Sequence, residues 1–121
     1  MKPILFITTV LFFLYAQADI TNYNEQQVII KDKKINHNEW SIPADMPDVY
    51  YNYVSGTITI VDYANVTYYV TIYDDWWNAV ITDTKPGGGT INVSSLTSGD
   101  YVIDITTSWN NDYTGNFDTS K

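Results

Sequence analysis

Apolar and polar side chains alternate along much of the chain after Pro47, and this alternation limits the folds that the chain can adopt. Val66, Tyr68, Val70 and Ile72 fall on one side of an extended stretch, and threonines and further tyrosines fall between them. A period of two is typical of a β-strand with one buried and one solvated face, because successive side chains point to opposite faces. No long stretch has the spacing of an amphipathic helix. The chain is therefore predicted to be all-β.

Strand-like runs recur at short intervals and are separated by clusters of glycine, asparagine, aspartate and serine. Such clusters are typical of turns, because these residues tolerate left-handed backbone or bond to it. About seven short strands with turns roughly every 8–12 residues predict a two-sheet sandwich of the immunoglobulin or fibronectin III type. The predicted strands are Val49–Val54, Thr57–Val61, Val66–Asp74, Asn78–Thr82, Thr90–Ser94, Asp100–Thr107 and Tyr113–Asp118.

The first 18 residues have the pattern of a secretory signal peptide. Lys2 supplies a positive charge, residues 4–15 form an apolar run, and the small residues at 16–18 suit a cleavage site. The run is shorter than the about 20 residues of a membrane span. We therefore expect cleavage after Ala18 and export to the periplasm, the cell surface or the medium, with no integral membrane segment afterwards.

Two parts are expected to follow the signal peptide. Residues 19–47 form a polar N-terminal segment, in which QVIIK at 27–31 is a possible edge strand, and residues 48–121 form the β-sandwich domain. This length suits one hydrophobic core.

The chain is acidic and contains no cysteine. It has 6 lysine and arginine residues against 14 aspartate and glutamate residues, which gives a formal net charge of −8 at pH 7. Such a charge repels nucleic acid and anionic membranes, so neither is expected as a partner. Without disulfides, the fold must be stabilised by burial, and the many aromatic rings make this feasible.

LTSGDYVIDI, at residues 96–105, places a tyrosine at the start of the most regular strand. In immunoglobulin-like sandwiches a tyrosine near the start of the sixth strand donates its hydroxyl to the backbone a few residues upstream, which is called a tyrosine corner. Tyr101 occupies that position. The alternative is an ordinary core tyrosine.

Two short motifs resemble a family of small exported immunoglobulin-like β-sandwich domains of unknown function from gut bacteria. One is L-x-x-G-x-Y-x-I, which begins at Leu96, and the other is Y-x-G-x-F, which begins at Tyr113. The resemblance covers most of the chain after residue 18 and implies the fold and an extracytoplasmic location. It implies no catalytic residues. The turn DWWN departs from the glycine-bearing turn that such domains have there, which puts a shared role for this turn in doubt.

The chain is also similar to the small sorting domains of type IX secretion cargo, which carry a G-x-Y-x-I strand. Those domains follow a large passenger. In this chain about 30 residues lie between the leader and the predicted sandwich. A sorting domain therefore stays a secondary alternative.

Two adjacent tryptophans stand between the third and fourth predicted strands, where turns usually carry small or polar residues. The strand order places Trp76 and Trp77 at one end of the sandwich and Trp109 at the other. We expect one of the adjacent pair to cap the core and the other to be partly exposed, because neighbouring residues of extended chain point to opposite faces. An exposed tryptophan beside carboxylates and an amide suits the stacking of a sugar ring. The candidate ligand-binding residues are Asp74, Asp75, Trp76, Trp77 and Asn78.

The tryptophans have a structural interpretation as well. Both rings of the adjacent pair would then fold back over the ends of the sheets. Trp40 and Trp109 are expected to pack against a sheet edge.

The chain lacks the usual signs of catalysis. Its acidic residues are scattered, no nucleophile elbow is present, and the single histidine, His37, has no cysteine to share a zinc site. Two clusters carry oxygen groups that could bind calcium, but neither has the spacing of a known calcium loop. We therefore predict no enzyme activity, no catalytic residues, no metal and no cofactor. The two clusters are Asp74, Asp75, Asn78 and Asp83, and Asn110, Asn111 and Asp112.

The sequence favours an exported binding or interaction module with a carbohydrate or protein ligand. The alternative is a structural or accessory domain that pairs with a protein partner through an edge strand of the N-terminal segment.

Overall fold

A computed structural model of the protein describes residues 25–33 and 42–120. The predicted signal peptide, His37 and Trp40 lie outside these residues. The described residues form nine strands and no helix. The strands are β1 (Glu25–Val28), β2 (Lys31–Asp32), β3 (Asp48–Asn52), β4 (Thr57–Val61), β5 (Thr67–Tyr73), β6 (Ala79–Pro86), β7 (Gly89–Asn92), β8 (Asp100–Thr107) and β9 (Asp112–Asp118).

The strands form two sheets that share one hydrophobic interior. Sheet A has the order β1-β3-β4-β7, and sheet B has the order β2-β9-β8-β5-β6. All paired neighbours run antiparallel. The predicted all-β, two-sheet sandwich is therefore confirmed. The described part of the chain contains no helix long and apolar enough to cross a membrane.

All seven predicted strands are present, and two of them, β4 and β8, have the predicted bounds. The largest difference is in β6, which was expected to end at Thr82 and continues to Pro86. Pro86 still lies opposite Thr67 of β5. A proline is tolerated there because β6 is an edge strand, so no further strand needs its missing N–H.

The interior is filled by the alternate residues that the sequence pattern selects. Tyr68, Val70 and Ile72 of β5 and Ile103 and Ile105 of β8 are all essentially inaccessible to solvent. The residues between them are partly or fully exposed. Both sheets contribute to one core. Its members are Val28, Val49, Tyr51, Ile58, Ile60, Val66, Tyr68, Val70, Ile72, Ile91, Val93, Tyr101, Ile103, Ile105, Tyr113 and Phe117.

The N-terminal segment crosses from one sheet to the other. β1 pairs with β3 at the edge of sheet A, and β2 pairs with β9 at the edge of sheet B. The run QVIIK, expected as one possible strand, therefore contains the end of β1, a crossover at residues 29–30, and the start of β2. β1 ends at Val28 because the chain crosses from sheet A to sheet B over the next two residues.

Gly115 of β9 makes room for this crossover. A Cβ atom built on Gly115 would lie 2.8 Å from the carbonyl oxygen of Ile29, 2.8 Å from Cδ1 of Ile30 and 3.0 Å from Cγ1 of Val28. Ordinary side chains do not approach so closely, and one of the three contacts is with backbone. The glycine of the Y-x-G-x-F motif is therefore required by packing.

A buried carboxylate connects the segment before β3 to the β8–β9 hairpin. Asp45 is 1% exposed. Its carboxylate accepts hydrogen bonds from the hydroxyls of Thr107 and Tyr113, both at 2.5 Å, and from the amide of Asn111 at 2.8 Å. Burial opposes ionisation of this group, but the three donors outweigh it and hold the pKa of Asp45 below its usual range.

A second buried tyrosine, Tyr68, also donates its hydroxyl to a carboxylate, as Tyr113 does. The hydroxyl of Tyr68 donates to the carboxylate of Asp62 at 2.6 Å. Burial and this hydrogen bond raise the pKa of Tyr68 well above its usual range. The two largest fully buried side chains, Tyr68 and Tyr113, thus both end on a carboxylate.

Replacing Gly115 with valine is expected to lower the free energy of unfolding by about 1–3 kcal/mol, because the added side chain collides with the crossover. Chemical denaturation measures the effect. Asn116→Ala, at the exposed neighbouring position, is the matched control and should change stability little. Equal stability of Gly115→Val and the wild type would contradict the packing role of this glycine.

Replacing Asp45 with asparagine is expected to lower the free energy of unfolding by about 2–3 kcal/mol at neutral pH, because buried hydroxyls lose a charged acceptor. The native pKa of Asp45 lies below its ordinary value of 3.8. Its contribution is therefore complete above that value and is lost as the pH falls through the native pKa. The difference between wild type and variant should shrink in that acidic range.

Denaturation curves measured across the acidic range test the role of Asp45. Asp75→Asn, at an exposed turn position, is the control. A stability difference that does not depend on pH would show that the ionised form of Asp45 is not the one that stabilises the fold.

Candidate functional site

The turn between β5 and β6, residues 74–78, is organised by Asp74. The Oδ1 atom of Asp74 accepts the backbone N–H groups of Trp76 and Asn78, each at 2.9 Å. The backbone adds two hydrogen bonds of 3.0 Å, from the N–H of Asp74 to Asn78 and from the N–H of Trp77 to Asp74. The N–H groups of Asn78 and Trp76 hold the pKa of Asp74 below its usual range. The turn therefore has a fixed shape.

Both tryptophans of this turn lie outside the core. Trp76 is 83% exposed and Trp77 is 68% exposed. The prediction that one of them caps the core is wrong, and so is the alternative that both fold back over the ends of the sheets.

The core is closed at this end by other aromatic rings. The ring of Phe117 lies 5.3 Å from that of Tyr51 and 5.7 Å from that of Tyr101, measured between centroids. All three residues are buried. These rings, and not the tryptophans of the turn, cover this end of the core.

Tyr101 also has the hydrogen bond that a tyrosine corner requires. Its hydroxyl donates to the backbone carbonyl of Thr97, four residues upstream, at 2.6 Å. Thr119 donates its hydroxyl to the same carbonyl at 2.9 Å. This corner joins the loop before β8 to the residue that follows β9.

Trp77 adopts a backbone conformation that its side chain disfavours. Its φ angle is +62°, in the left-handed region that suits glycine and asparagine. For a bulky residue this conformation costs about 1–2 kcal/mol. Because most of the ring remains in solvent, burial recovers little of that cost.

The Trp77 ring is nevertheless positioned by a neighbour. Its centroid lies 5.9 Å from that of Tyr73, with the ring planes inclined at 56°. Tyr73 lies on the outer face of sheet B, since the preceding residue, Ile72, points into the core. The contact therefore holds the ring of Trp77 against the end of that outer face. Aromatic pairs of this geometry are favourable.

The polar groups of the turn have different roles. The Asp74 carboxylate is used to hold the turn, whereas Asp75 and Asn78 are exposed beside the tryptophans. Of the predicted ligand-binding set, the structure thus brings together two rings and two exposed polar side chains, with Asp74 as the residue that positions them.

The two candidate calcium clusters differ in how their side chains are used. Among residues 25–33 and 42–120, no group of three or more His, Cys, Asp or Glu side chains is placed to hold a metal ion. In the second cluster, Asn111 bonds to Asp45, and Asp112 accepts the hydroxyl of Thr106 at 2.7 Å. These side chains take part in the fold.

Trp109 lies at the opposite end of the sandwich, as predicted. It belongs to the β8–β9 turn, where the N–H of Ser108 donates to the carbonyl of Thr67 at 2.9 Å. Trp109 is 53% exposed, so about half of its surface is covered by the protein.

Tyr73 was missed as a site residue. The sequence contained the signal, because the alternation along β5 assigns it to the solvated face, in line with Tyr69. What the sequence did not contain was the direction of the turn, which brings the ring of Trp77 back onto Tyr73.

Replacing Trp77 with asparagine is expected to leave the free energy of unfolding unchanged or to raise it by up to about 1 kcal/mol, because asparagine tolerates a positive φ angle. Thermal and chemical unfolding measure this. Ile72→Ala is the contrasting control, since removing a fully buried side chain should cost about 2–5 kcal/mol. A loss of stability in Trp77→Asn as large as that of the control would mean that Trp77 serves the fold.

The sandwich is similar to a solved structure. This is the crystal structure of a DUF3244 family protein with an immunoglobulin-like β-sandwich fold from Bacteroides vulgatus ATCC 8482, with a TM-score of 0.61 and 16% sequence identity over 78% of this chain and 97% of that chain. No protein-family model matches the chain, and no curated protein matches it. The chain therefore has an immunoglobulin-like β-sandwich fold, and the resemblance seen in its sequence is confirmed at the level of the fold.

Proposed function

We propose that the protein is a non-enzymatic, exported binding module that contacts a carbohydrate ligand through the β5–β6 turn. The observation that carries the proposal is the state of Trp77, a bulky residue with a φ angle of +62° whose ring is 68% exposed. A backbone conformation that is unfavourable and is accompanied by little burial suggests that the ring serves binding and not the stability of the fold.

The composition of the turn supports a sugar as the ligand. The indole rings of Trp76 and Trp77 offer flat apolar faces to solvent, and Asp75 and Asn78 beside them offer hydrogen-bonding groups. A pyranose has the complementary surface, with an apolar face of C–H groups and a rim of hydroxyls. A few placed polar groups around an apolar contact are typical of small-ligand sites.

A fixed turn favours binding. Asp74 holds the loop through four hydrogen bonds that involve its carboxylate or its backbone, so little conformational freedom would be lost when a ligand binds. Asp74 is thus a positioning residue in this proposal.

Pairing with a protein partner through an edge strand has less support. In the N-terminal segment, β1 and β2 are the edge strands of sheets A and B, but they contain only four and two residues, and very short edge strands offer little for another chain to pair with. The longest edge strand, β6, carries Asp83 and Lys85 opposite inward-facing Val70 and Tyr68, and these two charges form an ion pair of 3.3 Å. Charges that point inward on an edge strand hinder pairing with another chain.

A non-catalytic role agrees with how the carboxylates are used. Glycoside hydrolysis requires two carboxyl groups across a cleft. In the candidate turn the carboxylate of Asp74 is committed to backbone N–H groups, which leaves Asp75 as the exposed acidic group. Export after cleavage at Ala18 would place the module outside the cytoplasm, where polysaccharides are encountered.

The test is a glycan array and affinity electrophoresis with the full-length protein purified from the exported fraction. Its mass should correspond to a chain that begins at Asp19 if the leader is removed as proposed. Trp76→Ala and Trp77→Ala should each weaken glycan binding about tenfold or more, which corresponds to about 1.4 kcal/mol.

Trp109→Ala is the matched control, because this tryptophan is also exposed but lies at the opposite end of the sandwich. It should bind like the wild type. Absence of binding to every glycan tested, or equal losses in all three variants, would refute the proposed site.

A further inference from the structure

The ring of Trp77 stands at the end of a line of residues on the outer face of sheet B. Tyr69, Thr71 and Tyr73 share this face, because the residues between them point into the core. Tyr69 is 49% exposed. With a rise of about 3.4 Å per residue, Tyr69 and Tyr73 are separated by about 14 Å along the strand. The line therefore extends well beyond the length of one sugar ring.

Hydroxyl groups border this line. On β6, Thr84 lies opposite Tyr69 and Thr82 lies opposite Thr71, and both threonines are exposed. On the other side, Thr106 of β8 lies opposite Tyr69. Short side chains that donate and accept hydrogen bonds thus lie beside Tyr69 and Thr71, whereas the apolar Ala79 and Val102 lie opposite Tyr73.

This arrangement suits an extended sugar chain better than a protein. Protein interfaces concentrate their energy in a contiguous, desolvated apolar centre. Here Thr71 separates the two tyrosines, and threonines lie opposite Tyr69, whereas Tyr73 contacts the ring of Trp77 and lies opposite Ala79 and Val102. The apolar surface is therefore divided into two parts, one at Trp77 and Tyr73 and the other at Tyr69. Successive units of a glycan chain present apolar faces in the same divided way, with hydroxyls between them.

Charge narrows the class of glycan. The chain has a formal net charge of −8 at pH 7. Asp104, which lies opposite Thr71, is compensated by the Nζ atom of Lys33 at 2.9 Å. Among the residues that the structure describes, no excess of positive charge therefore marks this face as a site for sulfated or uronate-containing polymers.

We infer that the ligand is an extended, neutral oligosaccharide or polysaccharide chain, which runs from Trp77 across Tyr73 to Tyr69 along β5. This inference rests on the proposed function and extends it, since it adds Tyr69 and Tyr73 as contact residues and assigns Thr82 and Thr84 as their hydrogen-bonding neighbours. Affinity should then rise with ligand length until the chain spans the line.

The test is isothermal titration with neutral β-1,4-linked gluco-, xylo- and manno-oligosaccharides, from disaccharide to hexasaccharide, with oligogalacturonate as the anionic comparison. Tyr69→Ala should weaken binding of the hexasaccharide about tenfold and change binding of the disaccharide less than about twofold. Tyr69→Phe retains the ring and should keep the length dependence. Oligogalacturonate should bind at least tenfold more weakly than its neutral counterparts.

Tyr63→Ala is the matched control, because Tyr63 is 66% exposed and lies in the turn between β4 and β5, at the other end of the sandwich. Unfolding curves show whether each variant is folded. Binding that depends on Trp77 but not on ligand length or on Tyr69 would overturn the extended site and leave the proposed function standing. Failure of every glycan to bind would refute both, and preferential binding of oligogalacturonate would overturn the assignment to neutral chains.

Discussion

The structure depends on closing two sheets over a dry interior without any covalent cross-link. Apart from Thr107, the inward side chains of β5 and β8 are apolar or tyrosine, and the two tyrosines at the centre of the core, Tyr68 and Tyr113, carry polar groups that are costly to bury. Each sends its hydroxyl to a carboxylate, that of Asp62 or Asp45. Burying so much aromatic surface is favourable only because these hydroxyls find strong acceptors.

The same carboxylates connect elements that the sheets alone would leave apart. Asp45 precedes the first strand of the β3–β4 hairpin in sheet A, yet all three of its donors belong to the β8–β9 hairpin of sheet B. At the other end, the tyrosine corner of Tyr101 joins the loop before β8 to the end of β9. Hydrogen bonds at the two ends of the sandwich thus add to the hydrophobic packing between the sheets.

Much of this fold could be predicted from the sequence, because a period of two determines both the strands and the face that each residue occupies. The buried side of β5 was assigned correctly from spacing alone. The crossover at residues 29–30 could not be predicted, because the polar residues around it carry no pattern. The space for this crossover depends on Gly115, which is distant in sequence. Asp45 escaped notice for a similar reason, since a single aspartate between prolines resembles any exposed loop residue.

The candidate site was predicted in part. The pair of tryptophans in a turn was itself the signal, but the expectation that one would enter the core ignored the aromatic side chains already available to fill it. Tyr51, Tyr101 and Phe117 occupy that end. The geometry of the turn depends on Asp74 and on the positive φ angle of Trp77, and neither follows from residue type, because asparagine or glycine would be the usual choice at that position.

The pairing of β2 with β9 has a consequence for how the chain acquires its structure. Lys31 lies opposite Thr114, so one of the earliest described residues meets one of the latest. A ribosome or a translocation pore releases the N-terminal strands first, but β2 has no partner until the C-terminal strand follows. Contacts between such distant parts of a chain make folding slow. The sandwich would therefore remain incomplete until β9 has emerged.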